Sequence, residues 1–126
     1  MAVPILKQGD VLIASIQSAL SDRELADLSD AFSDRIGRQR SRGVVIDVTA
    51  LDVLDSFATR TLRGIAHTAR LRGASTVVVG IQPEVAFAMV QLGLSLEGVD
   101  TALDLEEGLA LLRNARRLHE HEHRPA

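Results

Sequence analysis

The sequence predicts a single α/β domain with a mostly parallel sheet of four to five strands, an N-terminal hairpin and about four helices. Short β-branched apolar runs, as within residues 44–48 and 76–80, alternate with longer segments in which apolar residues recur every three or four positions. Such runs are typical of strands covered on both faces, and the longer period is typical of amphipathic helices. A chain of 126 residues with 46% hydrophobic content suits one domain with its own core.

The chain opens with a predicted hairpin. Residues 5–7 and 11–16 are largely apolar and flank a short turn at Gln8-Gly9-Asp10. A first helix is predicted to begin after Ser21, because Ser21 and Glu24 have the spacing of a capping box and apolar residues follow at helical spacing. Its acids lie early and its arginines late, which complements the helix dipole.

The alternation of strand and helix continues after the strand at 44–48. A second helix is predicted from about Ser56 to Gly73, where glycine suits a left-handed cap. A strand follows at 76–80, and a third helix is predicted to begin at Pro83 and to end near Gly93.

The last part of the chain is predicted to form a short strand and a helix. The strand is expected within 95–102, and the helix is predicted from Asp104 to about Leu118. We therefore place the domain at residues 3–118 and a flexible C-terminal tail at residues 119–126.

Composition and charge exclude several classes of function. The aromatic residues are three phenylalanines and the formal net charge is −3, so the chain offers no base-stacking platform and no positive field for nucleic acid. Lysine occurs only at Lys7 and cysteine is absent, which excludes a phosphate-loop lysine, disulfides and thiolate metal sites. Because no signal peptide or membrane-spanning run is evident, we expect a cytoplasmic protein with no membrane partner. We also expect no cofactor.

The stretch from Gly43 to Ala58 is the most informative one. A buried strand ends near Asp47 and leads through an acidic turn to Asp55-Ser56, where the second helix begins. Ser56 suits two roles. It is either an N-cap or a phosphorylation site, since a phosphate there would meet free helix N–H groups and Arg60 one turn on. The helix period predicts an inward face of Ala58, Leu62, Ile65 and Ala69, and an outward face of Ser56, Arg60, Arg63, His67 and Arg70.

These residues carry a resemblance to a known family. The element order, the Ile46-Asp47-Val48-Thr49 strand end and the Asp55-Ser56 pair look like the STAS domain of anti-sigma factor antagonists. The simple single-domain antagonists usually follow the serine with a small residue and then glycine. Here Phe57 and Ala58 follow, which resembles the small stressosome scaffold proteins of the RsbS type. The resemblance covers roughly residues 3–112.

The resemblance implies a function and partners. Ser56 would be phosphorylated by an RsbT-like switch serine kinase, which the unphosphorylated scaffold sequesters and the phosphorylated scaffold releases. An RsbR-like STAS co-scaffold, an RsbX-like phosphatase and homo- and hetero-oligomers are implied in the same way, and no enzymatic activity is expected. The expected partner-binding residues around the switch are Asp47, Thr49, Asp52, Asp55, Phe57 and Arg60.

Three other functions rival that of a scaffold. The chain would instead be a stand-alone anti-sigma factor antagonist if it exchanged partners without a large assembly. A receiver domain with a phosphoaspartate at Asp47 is disfavoured, because the chain has neither an acidic pair after its first strands nor a lysine beyond Lys7. An enzyme or a ligand-binding α/β domain is disfavoured because no Gly-rich phosphate loop, catalytic lysine, cysteine or internal histidine cluster is present.

Two further sequence features are candidate sites. Residues 119–123 contain the HExxH pattern, but they lie at the chain end and His67 is the only other histidine, so we expect adventitious metal binding at most. Thr59 and Thr61 are taken as helix-surface threonines, which are common, so neither is assigned as a secondary phosphorylation site.

The third helix and the charge distribution bear on assembly. The helix carries one charge, Glu84, among apolar residues, so it is either a covered core helix or a helix with an assembly surface on one side. Residues 73–112 contain six acids and no Lys or Arg, whereas residues 56–72 contain four arginines and no acid. Opposed patches on one molecule favour self-association or mixed assembly.

Overall fold

The computed structural model describes the backbone of residues 3–122 and the side chains of residues 3–115. The elements in chain order are β1 (Ile5–Gln8), β2 (Val11–Ser15), α1 (Asp22–Gln39), β3 (Gly43–Asp47), α2 (Ser56–Leu71), β4 (Ser75–Val79), α3 (Pro83–Gln91), β5 (Asp100–Ala102) and α4 (Leu105–Glu122). They form a five-stranded sheet in the order β1-β2-β3-β4-β5. Strand β1 pairs antiparallel with β2, and the remaining pairs are parallel. The predicted α/β class with an N-terminal hairpin is confirmed.

Helices cover both faces of the sheet. Helices α1, α2 and α3 pack on one face, in a core that includes Phe32 and Ile65. Helix α4 covers the other face, where Leu112 packs with Val45 and Val77. Strand β3 lies between these two layers, and its apolar side chains are fully buried. This double burial explains why the strand reads as a continuous apolar run rather than an alternating one.

The start of α1 is held by the predicted capping box. The Ser21 hydroxyl accepts a hydrogen bond from the Glu24 N–H at 3.1 Å, and the Glu24 carboxylate accepts one from the Ser21 N–H at 3.0 Å. The hydrogen bond from the Ser21 backbone, followed by that with the Ser21 side chain, lowers the pKa of Glu24 below its ordinary value. The box therefore satisfies two N–H groups that the first turn would otherwise leave without partners.

Helix α4 runs past the predicted end of the domain. It begins after Asp104, whose carboxylate accepts from the Glu107 N–H at 2.9 Å, while the Glu107 carboxylate accepts from the Leu103 N–H at 3.3 Å. The helix continues to Glu122, so the boundary predicted at 118 falls inside it. Residues 123–126 of the predicted tail, and the side chains of the HExxH pattern, lie outside the described residues.

Among the helices of the described segment, none combines the length and the apolar character that crossing a membrane requires.

Candidate functional site

The candidate site is the loop of residues 48–55 and the start of α2, at the carboxyl edge of the parallel strands. The loop packs against the core through three apolar side chains that are at most 6% exposed: Val48, Leu51 and Leu54. The Val48 N–H donates to the Val79 carbonyl at 3.0 Å, and the Gln82 side chain donates to the Thr49 carbonyl at 2.7 Å. These contacts hold the loop in place, and the polar residues between the buried side chains, Thr49 and Asp52, are exposed.

Asp47 and Thr49 hold each other at the end of β3. One Asp47 carboxylate oxygen accepts from the Thr49 N–H at 2.9 Å and from the Thr49 hydroxyl at 2.6 Å. The backbone of Gly80 passes close by with φ +81°, and a Cβ at that position would overlap the Thr49 hydroxyl. Glycine is thus required beside this turn, both for its backbone conformation and for the space. The three residues together shape the surface at the carboxyl ends of β3 and β4.

Asp55, and not Ser56, is the N-cap of α2. The Asp55 backbone is extended, and its carboxylate accepts from the Ala58 N–H at 2.8 Å. Ser56 is the first helical residue, so the interpretation of Ser56 as the cap is wrong. Aspartate and serine are equally good caps, and an adjacent pair gives no spacing signal that selects between them.

The Ser56 hydroxyl is exposed, and it makes no hydrogen bond to any of the residues that the structure describes. The N–H groups of the first turn of a helix have no intrahelical acceptor, and Asp55 engages only that of Ala58. Arg60 is exposed one turn further on, and the first turn of α2 carries no acid. An anion on Ser56 would therefore meet free N–H groups, the positive helix end and one guanidinium, with Asp55 and Asp52 as the nearby opposing charges.

The other residues named around the switch occupy different environments. Asp52 is exposed on the loop, whereas Phe57 is half-buried. Thr61 is half-buried, and its hydroxyl donates to the Phe57 carbonyl at 2.8 Å. Thr59 is fully buried, so its assignment to the helix surface is wrong and no kinase can reach it in the folded chain.

The two faces of α2 divide largely as predicted. Leu62, Ile65 and Ala69 are buried, while Ala58 is half-buried. Thr59 and Ala66 are also buried on the inward face. The spacing of residues 59, 62, 66 and 69 follows the helical period, so the sequence could have predicted that Thr59 lies on the buried face. The four basic residues Arg60, Arg63, His67 and Arg70 are all exposed.

A small apolar notch beside the switch is a feature that the sequence reasoning missed. It is about 70 Å³ in volume, and residues of the loop, the start of α1 and α2 line it. Leu20 and Leu54 form part of its wall, and Val53, which is 67% exposed, stands at its rim. Leu51, Val53 and Leu54 lie among the acids of the turn in the sequence, and these apolar residues could have predicted an apolar surface here.

Helix α3 has an uncovered apolar face. Val85 and Met89 are buried, but Phe87 and Val90 are 65% and 76% exposed, and Leu92, just after the helix end, is 69% exposed. The interpretation of α3 as a fully covered core helix is therefore wrong for the single chain. Within the described residues, no group of three or more His, Cys, Asp or Glu side chains is placed to hold a metal ion.

Comparison with known proteins identifies the family. The sequence model of the STAS domain matches residues 2–108, and the chain therefore belongs to the STAS domain family. A solved structure of Moorella thermoacetica RsbS, in a serine-to-glutamate variant, is 38% identical, with a TM-score of 0.79 over 91% of this chain and 97% of that one. A chain from a structure of the stressosome, described as a signal integration and transduction hub, is also 38% identical, with a TM-score of 0.67 over 90% of this chain and 99% of that one.

A curated relative is the RsbT co-antagonist protein RsbRA of Bacillus subtilis. It is 30% identical over 98 residues, which are 78% of this chain but 34% of RsbRA. The chain thus spans about a third of the length of this relative, and less of the related RsbRC. The predicted family and the similarity to RsbS are confirmed.

Proposed function

We propose that this chain is a stressosome scaffold of the RsbS type, which sequesters an RsbT-like serine kinase and releases it when Ser56 is phosphorylated. The observation that carries the proposal is the position of Ser56. Its hydroxyl is exposed at the first residue of α2, and the capping bond is made by Asp55 instead. Modification of Ser56 therefore leaves the start of the helix intact.

The charge balance at the switch explains how phosphorylation would alter binding. The side chains of Asp52, Asp55 and Arg60 sum to one negative charge, as two acids and one arginine. A phosphoserine adds a charge of about −1.5 to −2, so the charge of this surface becomes about −2.5 to −3. A kinase surface that complements the unphosphorylated site is then repelled, while the helix N-terminus and Arg60 keep the phosphate in place.

The kinase would contact the surface around Ser56. The Asp47–Thr49 turn holds the loop, Asp52, Asp55 and Arg60 present charge, and Phe57 adds a half-buried apolar surface. The notch beneath Val53 offers a place for one apolar side chain of the partner. Such a small apolar pocket surrounded by polar groups is the usual setting for an interface anchor residue.

The same proposal includes assembly with an RsbR-like co-scaffold and with further copies of this chain, and reset by an RsbX-like phosphatase. The similarity to a stressosome chain and to RsbT co-antagonist proteins supports the co-scaffold. The uncovered apolar face of α3 supports an assembly surface, because exposed apolar residues this close together usually pack against a partner.

A phosphorylation assay tests the switch. The purified chain is incubated with an RsbT-like kinase and ATP, and its intact mass is measured. We expect the wild type and the control Ser95→Ala, another exposed serine, to gain one phosphate, and Ser56→Ala to gain none. A phosphate on Ser56→Ala, or an unchanged wild type, would show that the assignment of Ser56 is wrong.

A further inference from the structure

A second concavity lies at the opposite end of the sheet from Ser56. It is a cleft of about 660 Å³ between the amino ends of β2, β3 and β4 and the stretch of α4 from Leu109 to Ala115. Small-molecule sites in proteins commonly have volumes of about 300–1,000 Å³. The cleft is therefore large enough for a ligand the size of a metabolite, and nothing in the switch proposal uses it.

Three arginines from three separate elements line the cleft. Arg42 precedes β3, Arg70 lies in the last turn of α2, and Arg113 lies on α4. Arg70 donates one hydrogen bond to the Gly98 carbonyl at 2.9 Å. Neither Arg42 nor Arg113 forms an ion pair or side-chain hydrogen bond with any other residue that the structure describes. Against these three positive charges, the lining residues that the structure describes include one acid, Asp10.

The concentration of positive charge is unusual for this molecule. The chain as a whole carries a formal charge of −3, so a cleft with three arginines and one acid departs from the average. Arginines that line one cleft can bind a carboxylate or phosphate group through the paired N–H donors of their guanidinium groups. The charge therefore indicates an anionic ligand.

The inner wall of the cleft is apolar and open. Leu109 and Leu112 of α4 and Val11 of β2 line it. Gly9 and Gly73 also border the cleft, and a Cβ at either position would meet nothing within 4 Å, so the space beside the backbone is free. A ligand with only a charged group would leave this wall in contact with water, whereas one with an apolar body would cover it.

We propose that this cleft binds a small organic anion, with a phosphate or carboxylate group held by Arg42, Arg70 and Arg113 and an apolar body against Leu109 and Leu112. From Ser56 to Arg70 is 14 residues of α2, which is about 21 Å along the helix at 1.5 Å per residue. The ligand site is thus separate from the partner surface at the switch, and it does not depend on the proposed kinase.

Titration of the full chain with n-octyl phosphate, followed by the NMR amide signals of its glycines, tests the proposal. We expect saturable shifts at Gly9, Gly43 and Gly73, which line the cleft, and none at Gly64 or Gly93, which do not. Inorganic phosphate and n-octanol should each bind at least about tenfold more weakly, because each lacks one half of the interaction.

Arginine variants complete the test. The double variant Arg42→Gln/Arg113→Gln should weaken octyl phosphate binding by about tenfold or more, whereas the exposed control Arg23→Gln and the switch variant Ser56→Ala should bind as the wild type does. Circular dichroism checks that the double variant is folded. Absence of saturable shifts, shifts confined to Gly64 and Gly93, equal binding of inorganic phosphate, or unchanged binding by the folded double variant would each overturn the proposal.

Discussion

At the residue scale, Asp55 and Ser56 contribute differently to the start of α2. Asp55 accepts the N–H of Ala58, while the hydroxyl of Ser56 is exposed to solvent. We expect Asp55→Ala to lower the free energy of unfolding by about 1 kcal/mol, and Ser56→Ala to change it by less than about 0.5 kcal/mol. Urea unfolding measures both. Asp55→Asn keeps an oxygen acceptor and should retain most of the stability, and a larger loss in Ser56→Ala than in Asp55→Ala would contradict this assignment.

Gly80 is a second residue whose effect depends on one neighbour. It has φ +81°, and a side chain there would overlap the hydroxyl of Thr49. Gly93 has a similar φ of +70° but open space around it, so it is a matched control. We expect Gly93→Ala to cost about 1–2 kcal/mol for its backbone conformation, and Gly80→Ala to cost more because the Asp47–Thr49 turn must also move. If urea unfolding shows equal losses of unfolding free energy for the two variants, the Asp47–Thr49 turn can move without destabilising the fold.

The structural role of a single residue could be predicted where a local sequence pattern fits that residue and no neighbouring one. The Ser21–Glu24 box was predicted correctly, because its two partners have a fixed spacing. The Asp55-Ser56 pair holds two good caps in succession, so the sequence pointed to the right place but not to the right cap. Thr59 was misplaced because threonine is common on helix surfaces, although its spacing from Leu62 assigns it to the buried face.

At the scale of elements, the capping box makes α1 sensitive to pH. Hydrogen bonding with Ser21 lowers the pKa of Glu24 below its ordinary value of 4.5. A carboxylate whose pKa is lower in the folded state stabilises that state above the ordinary pKa, and this stability is lost as the pH falls through the folded-state pKa. Glu24→Gln keeps an amide oxygen as acceptor but does not titrate. We expect the stability advantage of the wild type over Glu24→Gln to shrink as the pH falls below the ordinary pKa of 4.5 and through the lower folded-state pKa, as measured by urea unfolding.

Two results would contradict that expectation. A stability difference that stays constant over this pH range would show that the Glu24 carboxylate is not held in the box. A similar pH-dependent change on replacing Asp27, an exposed acid of the same helix, by Asn would show that general charge repulsion is responsible.

The order and type of the elements were predicted more completely than the surfaces and clefts that the elements form together. Buried strands and amphipathic helices have different periods, so nine elements in the right order follow from local pattern. The uncovered face of α3 could not be decided in this way, since an all-apolar helix has no polar side to identify its outward face. The arginine cleft was not predicted at all, because its lining comes from separate segments that only the folded sheet brings together.

At the scale of the whole molecule, the exposed face of α3 and the opposed charges predict assembly. Phe87 and Val90 are 65% and 76% exposed, so the double variant Phe87→Ser/Val90→Ser should change the free energy of unfolding of the single chain by less than about 0.5 kcal/mol per site. The same variant should reduce the size of particles that the wild type forms with an RsbR-like partner, as measured by light scattering. Leu71→Ser, which removes an equally exposed apolar residue at the end of α2, is the matched control and should assemble normally.

Salt separates the contribution of charge from that of the apolar face. The acidic segment 73–112 of one molecule attracts the arginine-rich segment 56–72 of another. Salt screens this attraction, because the Debye length falls from about 10 Å at 0.1 M to about 3 Å at 1 M. We expect raised salt to shrink the wild-type particles, while Phe87→Ser/Val90→Ser is already small at low salt. A wild-type chain that stays a small species with its partner at every salt concentration would contradict the scaffold and favour a stand-alone antagonist. The phosphorylation of Ser56 would remain to be judged by its own assay, because a lone antagonist would use the same switch.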